Sequence, residues 1–251
     1  MLLGMLCSVA AAAGYTAPVE PPVAQSLPAA VPAKPLPDNA LKLARLANPE
    51  GKILEVGLKG FEVGIEAELK RDPDAASVYT KNPGLLEAIV QAGRPVMRDH
   101  LTADIPGFQR RFAQFYAEKF SSEEIDQLIA FYSSPTGTKV INAMYSGVDL
   151  EKIAPAATSD KGLTAKDIAE FNRTAAAQLP DKFDADDWKA LFMFAATPAH
   201  AKLLQVTPEF NQLVAEVENQ NDATLEKDME KVTERAVGEY MAKRKENAPA
   251  Q

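Results

Sequence analysis

The feature that most constrains the fold is a helix-start pattern that occurs at Phe120 and again 63 residues later, at Phe183. In the first copy, Ser121 is followed three positions later by Glu124. The serine hydroxyl can accept a hydrogen bond from the backbone N–H of Glu124, while the glutamate reaches back to the N–H of Ser121. Phe120 can pack on Ile125 across this turn. These residues predict a capping box with a hydrophobic staple, and therefore a helix that begins after Ser121.

Two helices are predicted from this first copy. The apolar positions of the first helix recur every three or four residues, as in a stripe that faces a core, and they are Ile125, Leu128, Ile129 and Tyr132. The helix is expected to end at Ser133. Ser134 then caps a second helix with Pro135 at its first position, where a missing N–H is tolerated. The first copy thus predicts a helical hairpin.

The second copy follows the same rules with other residues. Phe183 takes the staple position, Asp184 the cap and Asp187 the third helical position. Its expected buried stripe consists of Trp188, Leu191, Phe192 and Ala195, and Thr197 with Pro198 restarts the helix. Residues 104–141 and 167–204 share eleven identities over 38 gapless positions, including Phe131 with Phe194 and Lys139 with Lys202. We interpret this similarity as an internal duplication of the hairpin.

Outside the copies, amphipathic patterns are separated by proline and glycine. Predicted helices cover 39–47, 52–69, 85–101 with a kink near Pro95, and 104–119, and a C-terminal helix starts at Thr207–Pro208. The sequence therefore predicts an all-α fold, a helical bundle built from two duplicated helical-hairpin units plus an N-terminal helical segment. The expected divisions are an N-terminal helical segment over 39–99, repeat unit 1 over 100–146, a degenerate repeat unit 2 over 147–206, and a C-terminal long helix and tail over 207–251.

The N-terminus is apolar through residue 13 and then rich in proline. A run of that length is too short to cross a bilayer and predicts a secretory signal peptide over 1–13, so a secreted or periplasmic location is expected. Residues 14–38 hold seven prolines and predict a disordered linker. Cys7 is the only cysteine, so the mature chain is expected to have neither disulfides nor a cysteine nucleophile.

The stretch 115–141 resembles a bacterial family called domain of unknown function (DUF) 2059. The residues that carry the resemblance, which combine helix-start acids with a pattern of the form L..FY.SP.G.K, are Phe120, Glu123, Glu124, Leu128, Phe131, Tyr132, Ser134, Pro135, Gly137 and Lys139. The resemblance implies an all-helical, exported protein and implies no activity. The second copy keeps Phe183, Phe194 and Pro198 and places Trp188 at the fourth helical position, but has Ala195 for the tyrosine and His200 for the glycine.

The charge and the spacing of the polar residues argue against nucleic-acid binding, metal binding and catalysis. The net charge is -8, which argues against a nucleic-acid partner because phosphate binding needs a basic face. The two histidines, His100 and His200, lie in different segments without metal-ligand spacing, so no metal site and no cofactor are predicted. No catalytic residues are assigned. The acids of Asp184, Asp186 and Asp187 are expected to serve the helix start, where the dipole favours them.

Three glycines form the one pattern that suggests a binding surface. Gly57, Gly60 and Gly64 share a helix face beside Phe61, and each glycine costs up to about 1 kcal/mol relative to alanine. One interpretation is close approach by another helix. The other is a smooth groove that admits an apolar ligand or a partner segment.

The C-terminal helix carries a one-sided apolar stripe that is expected either to pack on the bundle or to serve as a homodimerisation or partner-binding arm. For the whole chain we expect an exported, non-enzymatic module of the bacterial envelope that binds an unknown protein or apolar ligand and is not an integral membrane protein. The alternative is a carboxylate-dependent hydrolase of envelope polymers, with acids from the helix starts. A structural spacer or general chaperone is a third option that the sequence does not separate from the first.

Overall fold

The structure is a computed structural model that describes residues 35–71, 73–157, 159, 161–220 and 222–246. Over these residues the chain forms eleven α-helices and no strand, which confirms the all-α prediction. The helices are α1 (Asp38–Ala47), α2 (Glu50–Arg71), α3 (Pro73–Lys81), α4 (Leu85–Lys119), α5 (Ser122–Tyr132), α6 (Pro135–Ser146), α7 (Leu150–Ala157), α8 (Ala165–Ala176), α9 (Ala185–Ala195), α10 (Pro198–Glu218) and α11 (Ala223–Glu246), with a 3-10 turn at Pro180–Lys182. The predicted signal peptide, 1–13, and the linker as far as residue 34 lie outside the described residues. At the end of the predicted linker, Leu36 packs against the core.

The predicted helix starts are confirmed. The hydroxyl of Ser121 accepts from the N–H of Glu124 at 3.2 Å, and the N–H of Ser121 donates to the Glu124 carboxylate at 2.8 Å. The Asp184 carboxylate accepts from the N–H of Asp187 at 2.9 Å, and the N–H of Asp184 donates to Asp187 at 3.1 Å. Helices α5 and α9 both have 11 residues, and their first residues are 63 positions apart. The first residues of α6 and α10 are also 63 positions apart.

Two predicted helix breaks are wrong. A separate helix over 104–119 does not exist, because α4 continues through Pro95 and Pro106, and the start predicted at Thr207–Pro208 lies inside α10. An internal proline removes one helical hydrogen bond and costs about 3 kcal/mol in an exposed helix. Helix α4 offsets this loss by burying Met97, Leu101 and other residues against its neighbours. The boundaries placed after residues 99 and 206 therefore fall within continuous helices.

Helix α4 organises the molecule because its two halves belong to different cores. Its C-terminal half packs with α1, α5 and α10 around Phe112, Tyr116 and Leu128. Its N-terminal half packs with α2 and α11 around Phe61 and Met97. A smaller apolar cluster joins α7 and α8 to α10. The hairpin α5–α6 lies against α10 and contacts α8 and α9.

The apolar stripe of α11 is buried within the chain. Leu225 and Met229 are fully buried, and Val232 and Ala236 nearly so, against α4 and its neighbours. Tyr240 extends this contact by donating its hydroxyl to the carbonyl of Pro83 at 2.6 Å. Packing on the bundle, one of the two expectations for this helix, is confirmed. The surface that a homodimer would need is covered by α4 in this structure, and the homodimer stays a prediction.

The buried face of α9 differs from the predicted one. Phe192 is 69% exposed and Ala195 is exposed, while Phe194 is buried. Phe194 stacks on Phe131 with ring centroids 3.9 Å apart and planes inclined by 6°. In α5, likewise, Phe131 is buried and Tyr132 only partly so. The reason is that α9 turns toward the first hairpin and buries the phenylalanine that meets Phe131, which the sequence of either helix alone does not reveal.

Among the described helices, none has both the length and the hydropathy needed to cross a membrane.

Candidate functional site

The glycine face of α2 is buried, and another helix contacts it at Gly57. Gly57, Gly60 and Gly64 are buried, and a Cβ atom on Gly57 would lie 2.8 Å from the Cδ1 atom of Leu101 on α4. The neighbouring Phe61 is only 1% exposed and belongs to the core between α2, α4 and α11. Close helix approach accounts for Gly57, and the groove at this face stays a prediction.

The motif glycine, Gly137, allows two helices to meet. A Cβ atom at this position would overlap the carbonyl oxygen of Phe131 and would lie 2.6 Å from the Cα atom of Tyr132. The first turn of α6 therefore rests directly on the last turn of α5. Ser134 caps that turn by accepting from the N–H of Gly137 at 3.0 Å, and Pro135 occupies the first position as predicted.

The motif lysine, Lys139, joins the two hairpins. Its ammonium lies 3.2 Å from the Asp184 carboxylate and contacts that of Asp187. Asp187 is buried, and it also accepts from the hydroxyl of Thr136 at 2.8 Å. The hydrogen bond from Lys139, and then the one from Thr136, lower the pKa of Asp187 to about 2. Ion pairs from Lys139 to Asp184 and Asp187 thus connect the first turns of α6 to the start of α9.

The carboxylates considered for a hydrolase already have partners at helix starts. Glu124 caps α5 through the N–H of Ser121. Asp184 accepts from two backbone N–H groups of α9, each at 2.9 Å. Asp186 is exposed on the same turn. These contacts agree with the capping role expected from the sequence.

Both histidines have structural neighbours. The two ring nitrogens of His100 lie 3.3 Å from carboxylate oxygens of Asp222 and Asp228, so this side chain links α4 to the start of α11. His200 lies edge-on to Phe194, with ring centroids 5.2 Å apart. Within the described part of the chain, no group of three or more His, Cys, Asp or Glu side chains could hold a metal ion.

An apolar cavity lies among the C-terminal half of α4, the first hairpin, α8 and α10. Its walls come from α1, α4, α5, α6, α7, α8 and α10, and its volume is about 370 Å³. That volume falls within the range of roughly 300–1,000 Å³ that is typical of small-molecule sites. Apolar side chains form most of the wall, among them Phe112, Met144, Phe171, Leu203, Phe210 and Val214. The phenylalanines pack closely, since the rings of Phe112 and Phe210 are 5.4 Å apart.

The polar groups of the cavity wall are all neutral. Tyr116 of α4, Tyr132 of α5 and Tyr145 of α6 line it, together with amide and hydroxyl groups from the loop after α1, α8 and α10. The amide of Asn172 donates to Asn211 at 3.2 Å. No charged residue is among the described residues that line the cavity.

Burial makes the three tyrosines strong candidates for hydrogen-bond donors. It raises the pKa of Tyr132 to about 12 and raises the pKa of Tyr116 and Tyr145 as well. The phenols of Tyr132 and Tyr145 raise the pKa of Tyr116 further. All three hydroxyls therefore keep their protons at neutral pH.

Sequence reasoning found one of these tyrosines and missed the cavity. Tyr132 belongs to the family motif and to the predicted stripe, whereas Tyr116, Tyr145 and the asparagine pair were not singled out. The one available signal was the presence of Asn211 within the apolar stripe of the C-terminal region. An asparagine that is 4% exposed in such a stripe indicates a buried polar partner.

Comparison with known proteins adds one match. Neither the curated proteins nor the solved structures include a match to the chain. The family segment runs from within α4 to the end of α6, and it supplies Tyr116, Tyr132 and Tyr145 to the cavity. Residues 107–146 match the family described as "Uncharacterized protein conserved in bacteria (DUF2059)", which confirms the resemblance recognised from the motif.

Proposed function

We propose that this chain is an exported, non-enzymatic binding module that holds a small apolar ligand in the cavity lined by α4, the first hairpin, α8 and α10. The observation that carries the proposal is the cavity itself, about 370 Å³ in volume and lined by apolar side chains with a few neutral polar groups. Sites of this kind bind ligands mainly by removing apolar surface from water. The polar groups would then orient the ligand.

The surroundings of the cavity support a preformed site. The ring of Phe210 stacks on Tyr116 with a centroid distance of 6.1 Å, and it also contacts Phe112 and Phe115. Close packing of this kind limits the motion of the wall. A site that is formed before the ligand arrives avoids much of the ordering cost of binding.

The hydrolase alternative has no comparable support. Glu124 and Asp184 accept hydrogen bonds from backbone N–H groups in the first turns of their helices, and neither residue lines the cavity. A general acid or base must instead reach a reacting group. The binding module is therefore the function we propose.

Export is part of the proposal and rests on the sequence of residues 1–13 and 14–38. We expect cleavage near residue 13, after which the proline-rich segment would tether the helical body at the envelope. Mass spectrometry of the protein from a periplasmic extract tests this. A cytoplasmic chain with an intact N-terminus would contradict export without affecting the cavity.

The internal duplication is also proposed here. It is supported by the shared offset of the helix starts and by the stacking of Phe131 on Phe194, which occupy equivalent positions in the two copies. The surroundings of Phe120 and Phe183 differ in degree: Phe120 is buried in the main core, and Phe183 is partly exposed beside Trp188 at 5.5 Å. A set of relatives in which the second segment shows no similarity to the first would argue against duplication.

A fluorescent apolar probe tests the binding proposal. N-phenyl-1-naphthylamine, which brightens in apolar surroundings, is titrated into the purified protein and should give saturable binding. Met144→Trp adds bulk to the cavity wall and should weaken binding about tenfold or more, a loss of about 1.4 kcal/mol. Met241→Trp makes the same replacement on α11, where the side chain is 42% exposed, and should leave binding unchanged.

The exposed aromatic face of α9 provides the competing location. Phe192 and Met193 are 69% and 67% exposed, and a probe could adhere there. Phe192→Ala should therefore leave probe binding intact. Equal binding by Met144→Trp and the unaltered protein, or loss of binding in Phe192→Ala, would refute the cavity as the binding site. Circular dichroism of each variant shows whether its fold is retained.

A further inference from the structure

Three tyrosines, each from a different helix, contribute to the wall of the cavity. Tyr116, Tyr132 and Tyr145 all line it. Over the described part of the chain, none of these hydroxyls has a hydrogen bond to a protein group. All three belong to residues of the cavity wall, and none is a fully enclosed atom of the described residues. Tyr116 is nonetheless only 6% exposed, so its hydroxyl has little access to bulk solvent.

The chemistry of this cluster limits what it can bind. Buried polar groups are normally hydrogen-bonded, and an unbonded hydroxyl destabilises the structure that contains it. A ligand that supplies an acceptor atom removes that penalty. Because burial raises the pKa of all three phenols, they offer protons at neutral pH and do not act as anions.

Because none of the described lining residues is charged, the ligand is expected to be uncharged as well. An ionised carboxylate or phosphate moved into an apolar site loses its hydration and is favoured only when a cation or several donors compensate. The cavity offers no Lys or Arg for this purpose within its described lining. A neutral carbonyl oxygen has a much smaller desolvation penalty, and it can accept more than one hydrogen bond.

We propose that the ligand is a neutral apolar molecule with a carbonyl group in an ester, whose two oxygen atoms accept hydrogen bonds from Tyr116, Tyr132 and Tyr145. This inference rests on the proposed function and names the ligand class for the same cavity. The apolar wall formed by Phe112, Phe210 and their neighbours contacts the hydrocarbon part. The tyrosine cluster orients the polar part.

A matched series of compounds that share a ten-carbon chain tests the ligand class by displacing N-phenyl-1-naphthylamine from the purified protein at pH 8. The series consists of methyl decanoate, decane and ionised decanoate. We expect the ester to displace the probe at a concentration about fivefold or more below that of decane, as one or more net hydrogen bonds would give. Decanoate should be the weakest competitor.

Tyrosine-to-phenylalanine variants remove the hydroxyls and keep the aromatic volume. Tyr116→Phe, Tyr132→Phe and Tyr145→Phe should each weaken binding of the ester about three- to tenfold, the usual effect of one hydrogen bond. Binding of decane should stay the same in every variant. This difference separates a lost hydrogen bond from a damaged cavity, which would weaken both compounds.

Thermal unfolding without ligand provides a second measurement and a matched control. Since the three cavity hydroxyls have no protein partner, their removal should leave the Tm unchanged or raise it. Tyr240→Phe removes a hydroxyl that donates to the carbonyl of Pro83, so it should lower the Tm and leave ester binding unaltered. A lower Tm for the three cavity variants, together with unchanged ester binding, would show that the hydroxyls have a structural role and would overturn the inference.

The outcomes separate the two proposals. If the unaltered protein binds neither the probe nor any compound of the series, the proposed function fails and the ligand class fails with it. If decane and the ester compete equally, and the phenylalanine variants change neither, the cavity remains a binding site but the inferred ligand class is wrong. Tighter binding of decanoate than of the ester also refutes the ligand class.

Discussion

Replacing Gly137 with alanine tests how closely the two helices of the first hairpin approach. The added Cβ atom would overlap the carbonyl oxygen of Phe131 and would lie 2.6 Å from the Cα atom of Tyr132. Both neighbours are backbone atoms, so neither can move aside by rotating a side chain. The substitution must shift the start of α6 away from the end of α5.

Two opposing contributions set the change in the free energy of unfolding: the overpacking by the new methyl group and the higher helix propensity of alanine. Overpacking of a well-packed site costs about 1–3 kcal/mol, and a backbone neighbour places this substitution near the upper value. Alanine is a better helix former than glycine by up to about 1 kcal/mol. The free energy of unfolding should therefore fall by about 2 kcal/mol, and the Tm by about 4–8 °C for a chain of this size.

Urea unfolding followed by circular dichroism measures this change, and Gly107→Ala is the matched control. Gly107 lies inside α4, and a Cβ atom there would meet nothing within 4 Å. Its replacement should raise the free energy of unfolding by about 0.5–1 kcal/mol. If Gly137→Ala also stabilises the protein, the close approach of α5 and α6 described above is wrong.

Two further substitutions probe other contacts. Met229→Ala should lower the free energy of unfolding by about 2–5 kcal/mol in urea titrations, because Met229 is fully buried between α11 and α4. Met241→Ala, on the exposed side of α11, should change it by about 0.5 kcal/mol or less; equal effects would show that α11 does not pack on the bundle. Asp187→Asn should make the free energy of unfolding fall less steeply as the pH is lowered below about 4. The pKa of Asp187 is lowered from 3.8 to about 2, so its contribution is complete above about pH 4 and is lost as the pH falls toward 2. Parallel profiles for the two proteins would contradict the pair formed by Lys139 and Asp187.

Helix starts could be predicted from the sequence because their determinants are local. The partners of a capping box, such as Ser121 and Glu124, are three residues apart, and their hydrogen bonds do not depend on the rest of the fold. The same holds for Asp184 and Asp187. This is why the boundaries of α5 and α9 were found within a residue.

Helix continuity through proline could not be predicted in the same way. Pro106 and Pro208 look like breaks in the sequence, but tertiary packing on both sides keeps α4 and α10 continuous. The orientation of α9 also depends on tertiary contact. Phe194 and Phe192 are two residues apart and equally apolar, and only the position of Phe131 decides which one is buried.

The cavity depends on tertiary structure to an even greater extent, since seven helices contribute to its wall. Tyr116, Tyr132 and Tyr145 each occupy positions that an isolated helix would assign to an ordinary core face. Nothing within one helix distinguishes a tyrosine whose hydroxyl has a protein partner from one whose hydroxyl faces a cavity. The convergence becomes visible only when α4, α5 and α6 are placed together.

Methionine-methyl NMR tests the central claim most directly, because the methionines report on distinct parts of the structure. Met144 lines the cavity, Met193 lies on the exposed face of α9, and Met229 of α11 is buried in the core against α2 and α4. Titration of methyl decanoate into protein labelled with carbon-13 at the methionine methyl groups should shift the Met144 signal saturably and leave those of Met193 and Met229 in place. A shift confined to Met193, or no shift at all, would contradict a ligand site in this cavity.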